Sequence, residues 1–271
     1  MRFALPLVLI AFLADAADYQ VQGNIRYARR AETVLDIVQA RAPALGNRPG
    51  VVIFHAGGWV EGTKETMLES FAVPFVEHGF VVANVEYRLA KSAPAPAAVE
   101  DALQAAKWFR DHAEEYKVDP ARIVTLGESA GGHLALMTAL VPATTNFGPV
   151  TKIAAVIDFY GVADVAEQVS QHKPYAIVWI PDQAGRMDLA RQMSPITYVR
   201  KSLPPVLAIH GDADPTVPYE QSVSLVKALK AVGNQADLIT VPDGQHGFSP
   251  EQMSKLWPDV FKWLKKHKVI Q

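Results

Sequence analysis

Short runs of apolar residues recur along the chain, and each run predicts a buried strand. The runs cover residues 51–54, 80–85, 123–126, 153–159, 205–209 and 236–241. Strands that are apolar on both faces are typical of a parallel sheet covered by helices. Segments with a helical period separate them, at residues 97–116, 134–140, 220–231 and 252–266. This alternation predicts an α/β fold with a mostly parallel central sheet and helices on both of its faces.

Two early segments add detail to this pattern. Residues 21–27 and 33–39 alternate between apolar and polar side chains, which predicts an opening antiparallel pair of strands. Residues 66–78 predict a helix, because Thr66 and Glu69 have the spacing of a capping box. A proline in the middle of this segment is unfavourable inside a helix.

One later segment does not fit the alternation. Residues 162–204 are longer than a crossover needs, and they carry Tyr175, Trp179, Met187 and Met193. A long excursion at the carboxyl side of a sheet predicts a lid or cap over a site. The alternative is an ordinary helix packed on the face of the sheet with an irregular lead-in.

Length and composition limit the classes of function. The chain has 271 residues, 49% of them hydrophobic, which suits one large domain with a sizeable core. The formal net charge of −2 and the absence of a basic stripe argue against nucleic acid as a partner. The chain has no cysteine, so a thiolate nucleophile, disulfides and cysteine-bound zinc are excluded.

Cofactor and metal motifs are also missing from the sequence. The glycines of residues 57–64 have the spacing of a phosphate loop, but Thr63 and Lys64 stand in the reverse of the required order. Asp212 and Asp214 could serve as metal ligands, yet no pair of histidines has the spacing of a metal site. No cofactor and no metal are implied.

The first residues predict an export signal. Arg2 supplies a charged start, residues 3–13 supply an apolar core, and Ala14-Asp15-Ala16 supplies a small-x-small cleavage pattern. A short membrane anchor or a buried helix is the alternative, but the apolar core is too short to span a bilayer. We therefore expect a signal peptide at 1–16, a single domain at 17–271, and a periplasmic or extracellular location.

The centre of the chain carries a candidate nucleophile. Gly127-Glu128-Ser129-Ala130-Gly131 lies where the strand at 123–126 runs into a helical pattern. A serine between two glycines at such a junction is the G-x-S-x-G signal. The turn forces the serine into a strained conformation and holds its hydroxyl above the sheet edge, at the positive end of a helix.

A serine hydroxyl needs a base, and the base needs an orienting acid. Asp214 follows the strand at 205–209, and His246 follows the strand at 236–241. The order serine, acid, histidine is the one expected of this arrangement. Asp212 and Asp243 are rivals for the acid, although Asp212 is better placed to brace its turn and Asp243 to cap one.

Backbone N–H groups must stabilise the negative charge of an acyl-transfer transition state. Gly57 and Gly58 follow an early strand and can expose their amides, and the amide of Ala130 follows the nucleophile directly. These three residues are the candidate oxyanion hole. Residues beside the same loops are candidates for the substrate pocket, namely Trp59, Glu128, Tyr160 and Val217.

With these residues assembled, almost all of the chain after residue 16 resembles the α/β-hydrolase superfamily. Within it, the chain is similar to the bacterial carboxylesterase and feruloyl-esterase-like branch related to hormone-sensitive lipases. The resemblance rests on Val34-Leu35-Asp36-Ile37, His55-Ala56-Gly57-Gly58-Trp59, Glu86-Tyr87-Arg88-Leu89, Gly127–Gly132, Ser194–Val199, His210–Asp214 with Val217-Pro218, and His246-Gly247-Phe248. Ala56 departs from the pattern, since the family usually has glycine there.

The resemblance implies that Ser129 is the nucleophile, His246 the general base and acid, and Asp214 the orienting carboxylate. It implies an oxyanion hole at Gly57, Gly58 and Ala130. The expected function is serine hydrolysis of small or short-acyl carboxylic esters, with a small ester and water as the partners and no stable membrane insertion. The alternatives are an amidase, peptidase or arylformamidase on the same triad, or a catalytically silent binding protein.

Overall fold

The computed structural model describes residues 18–42 and 46–271. The predicted export signal at residues 1–16 lies outside the described residues. Within the described ranges, none of the helices combines the length and the apolar character needed to cross a membrane.

An eight-stranded sheet forms the centre of the molecule. Its strands are β1 (Tyr19–Arg26), β2 (Val34–Ala40), β3 (Arg48–Phe54), β4 (Val81–Val85), β5 (Val118–Glu128), β6 (Val156–Phe159), β7 (Val206–Gly211) and β8 (Ala236–Val241). The spatial order is β1-β2-β4-β3-β5-β6-β7-β8. β1 pairs antiparallel with β2 and β2 antiparallel with β4, while all other neighbours are parallel. The predicted antiparallel opening and mostly parallel sheet are confirmed.

Helices cover both faces of this sheet. They are α1 (Val73–Glu77), α2 (Ala97–Asp111), α3 (Ala130–Leu140), α4 (Val165–Ser170), α5 (Pro174–Trp179), α6 (Arg186–Gln192), α7 (Glu220–Ala231) and α8 (Pro250–Lys266). Along β3, Val52 and Phe54 join the core beneath α2, α3 and α7, whereas Val51 and Ile53 join the core beneath α1 and α8. Both sets are buried because each strand has a helical layer on either side.

The segment at 66–78 is not the single helix that the sequence predicted. A 3-10 turn at Lys64–Met67 runs into a π-helical turn at Leu68–Ala72 and then into α1. The capping box is wrong as well, because the Thr66 hydroxyl donates to the carbonyl of Thr63 at 2.8 Å. Pro74 explains the widened turn: it has no N–H to offer the preceding turn of an α-helix.

The predicted helix at 97–116 is also shorter than expected, since α2 ends at Asp111. The N–H of His112 still bonds to the carbonyl of Trp108, and the chain then turns through residues 113–117 into β5. The apolar side chains of Ala113 and Tyr116 are buried in this turn. Their burial explains why the helical pattern seemed to continue to residue 116.

The excursion at 162–204 consists of three short helices, α4 to α6, and a 3-10 turn at Pro195–Tyr198. Trp179 anchors it to the core, because its fully buried ring stacks on Trp59 with the centroids 4.1 Å apart. The imidazole of His133 links the excursion to Trp59. Its Nδ1 accepts from Nε1 of Trp59 at 3.2 Å, and its Nε2 donates to the carbonyl of Met193 at 2.7 Å. The excursion therefore packs against the sheet layer through its own apolar side chains.

Candidate active site

Ser129 stands between the last residue of β5 and the first of α3, as the motif predicted. Its backbone has φ 54° and ψ −118°, a strained conformation for a residue with a Cβ. The N–H of Ser129 donates to the carbonyl of Phe159 on the neighbouring strand at 2.9 Å. This bond fixes the turn to the sheet and leaves the hydroxyl at the carboxyl edge.

The glycine after the nucleophile is required by a close approach of two backbones. A Cβ on Gly131 would lie 2.0 Å from the carbonyl oxygen of Phe54, the last residue of β3. Any side chain at this position would therefore push helix α3 away from the sheet. The tight turn at Ser129 depends on this contact.

Three side chains from separate strand ends meet at this edge. The Oγ of Ser129 lies 2.9 Å from Nε2 of His246, and Nδ1 of His246 lies 2.7 Å from Oδ2 of Asp214. A carboxylate can only accept, so Nδ1 carries the proton, and Nε2 is free to accept from the serine hydroxyl. The arrangement is that of a nucleophile, a general base and an orienting acid.

Asp214 is held in a fully buried position. Its Oδ1 accepts from the backbone N–H groups of Thr216 at 2.8 Å and Val217 at 3.0 Å, and its side chain has no exposed surface. Burial alone would raise the pKa of Asp214, but hydrogen bonds from His210 and His246 hold it well below the usual range. Asp214 is therefore ionised at neutral pH.

The rival acids lie elsewhere. Oδ1 of Asp212 accepts from the backbone N–H of Asp243 at 2.7 Å, which ties the loop after β7 to the loop after β8. Asp243 has φ 55° in its turn. Asp212 thus braces its loop, whereas Asp243 contributes its backbone N–H to this link.

The loop after β3 carries the two candidate glycines, Gly57 and Gly58. Gly57 has φ 118°, and a Cβ there would lie 1.9 Å from the carbonyl oxygen of Glu61. Beneath it, His55 donates from Nδ1 to the carbonyl of Ala56 at 2.6 Å, and its ring stacks on Tyr87 with centroids 4.2 Å apart. The Tyr87 hydroxyl in turn donates to the carbonyl of His55 at 2.9 Å.

The sequence identifies Tyr87 only as part of a family motif. It does not indicate that Tyr87 supports His55. The residue is fully buried, and its hydroxyl and ring both contact the residue that opens the glycine loop. The signal that could have found it is a tyrosine two residues after a buried strand, because the hydroxyl of a buried tyrosine needs a hydrogen-bond partner.

Two of the candidate pocket residues offer no surface to a ligand in this structure. Trp59 is fully buried between Trp179 and His133. Val217 is fully buried as well, with its carbonyl 3.0 Å from Nε2 of His210. Both stand beside the site in sequence, but their side chains point into the core instead of the pocket.

The other two candidates, Glu128 and Tyr160, line a cleft beside His246. The Tyr160 hydroxyl donates to Oε2 of Glu128 at 2.5 Å, and the Tyr160 ring centroid lies 4.9 Å from that of His246. Burial raises the pKa of Glu128 above its usual range, although Tyr160 and a protonated His246 oppose this. We call this space of about 370 Å³ the aromatic cleft; its walls include Phe71, Glu128, Tyr160, Phe248, Met253 and Trp257.

A second space opens beside the glycine loop and the loop of Asp214. This Tyr175 groove has a volume of about 480 Å³ and is lined by Val60, Lys173, Pro174, Tyr175, Val178, Pro215 and Thr216. The Tyr175 side chain packs directly on Gly58. A Cβ added to Gly58 would lie 2.6 Å from the Cβ of Tyr175. The excursion at 162–204 thus forms one wall of this groove.

A further buried carboxyl lies below the site on β6. Oδ1 of Asp158 accepts from the N–H of Gly161 at 2.9 Å, whereas Oδ2 is buried with no hydrogen-bond partner among the described residues. Burial raises the pKa of Asp158 to about 7, although a positive charge on His210 would lower it. The sequence gives no signal for this group, because Asp158 lies within an apolar run.

The sheet order and the triad at the carboxyl ends of its strands define an α/β-hydrolase. A family model described as BD-FAE matches residues 35–229, which is more than half of the chain. The chain belongs to the BD-FAE family.

Relatives and solved structures agree with this class. Esterase LipQ of Mycobacterium tuberculosis is 30% identical over 80% of this chain and 54% of its own length. The probable carboxylic ester hydrolase LipM of the same organism is 29% identical over 85% of this chain and 57% of its own. The chain thus spans a little over half the length of these curated relatives.

Two solved structures cover the chain more fully. A truncated carbohydrate esterase from gut microbiota has a TM-score of 0.81 at 27% identity, covering 93% of this chain and 98% of that one. A propionate-bound esterase of Thermogutta terrifontis has a TM-score of 0.75 at 26% identity, covering 94% and 96%. The sheet and its helices are shared with these esterases.

We predict that Asp158 makes stability fall as pH rises. Its folded pKa is about 7 against 3.8 for the ordinary carboxyl, so between these values the folded state binds more protons than the unfolded state. The free energy of unfolding therefore declines from about pH 4 to about pH 7, by at most roughly 4 kcal/mol at about 1.36 kcal/mol per unit. The side chain of Asp158→Asn cannot ionise, so the free energy of unfolding of this variant should not show this decline.

Urea unfolding of the wild type and Asp158→Asn at pH 4, 6 and 8 checks this. The difference in unfolding free energy should move in favour of the asparagine variant as the pH rises. A difference that stays constant across this range contradicts the prediction.

Proposed function

We propose that this protein is a serine carboxylic-ester hydrolase that works through an acyl-enzyme. The observation that carries the proposal is the continuous chain of hydrogen bonds from Ser129 through His246 to Asp214, at 2.9 and 2.7 Å. Such a chain activates a hydroxyl for attack on an acyl carbon and returns the proton to the leaving group.

In the first step Ser129 Oγ bonds to the acyl carbon while its proton moves to Nε2 of His246. The electrons of the carbonyl double bond move to its oxygen, and collapse of this intermediate breaks the ester bond and passes the proton to the departing alcohol. In the second step a water attacks the acyl-enzyme by the same route and releases the acid. The ionised Asp214 stabilises the imidazolium that forms in both steps.

The oxyanion hole is part of the proposal. The candidate donors are the N–H groups of Gly57, Gly58 and Ala130, and no described residue accepts a hydrogen bond from any of the three. Their amides are therefore available to a developing negative charge. Loss of one such donor typically costs about 10²–10³ in rate.

The aromatic cleft, next to Glu128 and Gly247, and the Tyr175 groove, next to Thr216, suggest how an ester binds. The leaving oxygen must come within reach of His246 Nε2, so the aromatic cleft, which begins at Glu128 and Gly247, would receive the alcohol part. The Tyr175 groove would then receive the acyl part. The related Thermogutta terrifontis esterase has been solved with propionate and with butyrate bound, which supports a short acyl group here.

Export is also proposed, because the charged start, the apolar core and Ala14-Asp15-Ala16 form a signal pattern at residues 1–16. N-terminal sequencing of the protein recovered from the periplasm or the medium of a bacterial host should begin after Ala16. Recovery of the intact chain from the cytoplasm alone contradicts export.

We predict that Ser129→Ala abolishes turnover of p-nitrophenyl acetate. Triad residues act as a unit, so the loss in kcat should be roughly 10⁴-fold or more. A fluorophosphonate probe should label the wild type and leave Ser129→Ala unlabelled, because the probe bonds to an activated serine. A wild type that neither hydrolyses the ester nor takes the label is a binding protein on this fold.

The same assay separates an esterase from an amidase. The wild type should turn over p-nitrophenyl acetate much faster than p-nitroacetanilide and a formamide analogue. Faster turnover of the anilide or the formamide overturns the assignment to esters while leaving the triad in place.

We predict that Tyr175 limits the length of the acyl chain. The wild type should prefer p-nitrophenyl acetate to butyrate over octanoate, and Tyr175→Ala should raise kcat/KM for octanoate relative to acetate. The gain should be roughly fourfold for each methylene newly buried, from about 0.8 kcal/mol per CH₂. Met253→Ala lies in the aromatic cleft and is the matched control, because it should leave the acyl profile unchanged.

An acyl profile that shifts with Met253→Ala and not with Tyr175→Ala contradicts this assignment of the two spaces. That outcome would place the acyl group in the aromatic cleft. The proposal of ester hydrolysis itself would not be affected.

A further inference from the structure

Asp214 is approached by two imidazoles and not by one. Nε2 of His210 lies 3.2 Å from the same Oδ2 that accepts from Nδ1 of His246. Both His210 and Asp214 have no side-chain exposure, so water cannot replace either contact. The acid of the triad is therefore shared between the general base and a second histidine.

The hydrogen bonds of His210 fix which of its nitrogens carries a proton. Nε2 also lies 3.0 Å from the carbonyl of Val217, and neither a carbonyl nor a carboxylate can donate. Nε2 must therefore be protonated. Its N–H donates to the carbonyl of Val217, and the same nitrogen lies 3.2 Å from Oδ2 of Asp214.

The other nitrogen of His210 faces a single hydroxyl. Nδ1 lies 2.8 Å from Oγ of Ser222, which is fully buried on helix α7. No described residue other than His210 accepts from this hydroxyl, so the Ser222 proton must point at Nδ1. Nδ1 therefore accepts, and His210 is a neutral imidazole locked in one tautomer.

We propose that His210, held by Ser222, is a positioning residue that sets the orientation of Asp214 and the share of its charge available to His246. With its protonated Nε2 3.2 Å from Oδ2, His210 draws part of the negative charge away from the bond to His246. It also stops the carboxylate from rotating about its Cβ–Cγ bond. This inference rests on the proposed ester hydrolysis, because the acid acts only through His246 and Ser129.

Other titratable groups surround the two histidines and must be kept constant in any test. Tyr160 and Glu128 face His246 from the ends of β6 and β5. Asp158 on β6 and the rings of Tyr160 and Tyr219 face His210. None of these groups donates a hydrogen bond to Asp214, so substitution at His210 changes one polar contact of the acid.

The test compares His210→Leu with His210→Gln, because the amide nitrogen of glutamine can occupy the place of Nε2 and still donate. We expect His210→Leu to lower kcat roughly 10- to 100-fold, as for one hydrogen bond to a charged group, with KM changed by less than about threefold. His210→Gln should recover most of this loss. Ser222→Ala, which removes only the donor to Nδ1, should cause a smaller fall.

The pH profile of kcat/KM distinguishes a positioning role from simple packing, because loss of packing alone would not shift the acid limb. Without the His210 donor, Asp214 places more charge on His246 and stabilises its protonated form. The acid limb of kcat/KM should then shift to higher pH in His210→Leu and less so in His210→Gln. His133→Gln is the matched control, because it alters another fully buried histidine that contacts Trp59 and should leave the acid limb in place.

Failure of this inference differs from failure of the proposed function. If the wild type hydrolyses p-nitrophenyl acetate and takes the fluorophosphonate label, but His210→Leu keeps the wild-type kcat and acid limb, then His210 only fills space. If His210→Leu does not fold, His210→Gln and Ser222→Ala are compared with the wild type instead. An acid limb that is unchanged in both variants overturns the inference. If the wild type is inactive and unlabelled, the hydrolase proposal itself is wrong.

Discussion

The site depends on the close approach of helix α3 to the last carbonyl of β3. Because Gly131 has no side chain, the helix can begin almost in contact with the oxygen of Phe54. Ser129, two residues before Gly131, has φ 54°, and its hydroxyl lies at the carboxyl edge of the sheet. The strain at this residue is tolerated because the backbone bond to Phe159 and the packing of an almost fully buried helix hold it in place.

Strand order then determines where the partners must come from. β7 and β8 lie two and three positions beyond β5 in the sheet, and the loops that follow them carry Asp214 and His246. Parallel strands end at the same edge, so residues that are 85 and 117 positions from Ser129 along the chain can meet at hydrogen-bond distance. The link between Asp212 and the N–H of Asp243 joins these two loops directly.

The sequence was sufficient for the sheet and for the three meeting side chains, because both leave local signals. An apolar run predicts a buried strand. A polar residue just after the end of that strand predicts a side chain at the carboxyl edge of the sheet, where the site lies. The same reasoning failed for Trp59 and Val217, which stand at that edge but turn into the core. It also failed at residues 66–78, where Pro74 changes the hydrogen-bond pattern of a segment whose apolar period is helical.

Three carboxyl groups near this edge, on Glu128, Asp158 and Asp214, show that hydrogen-bond donors and not position alone determine which group is ionised. Asp214 receives hydrogen bonds from two backbone amides and two imidazoles, and its pKa is held well below the usual range. Asp158 and Glu128 each receive one hydrogen bond, and burial raises both of their pKa values. All three lose solvation, so the number of donors decides which of them stays ionised. Asp214 is thus the group among the three that can stabilise an imidazolium at neutral pH, and its donors are as much a part of the site as its carboxylate.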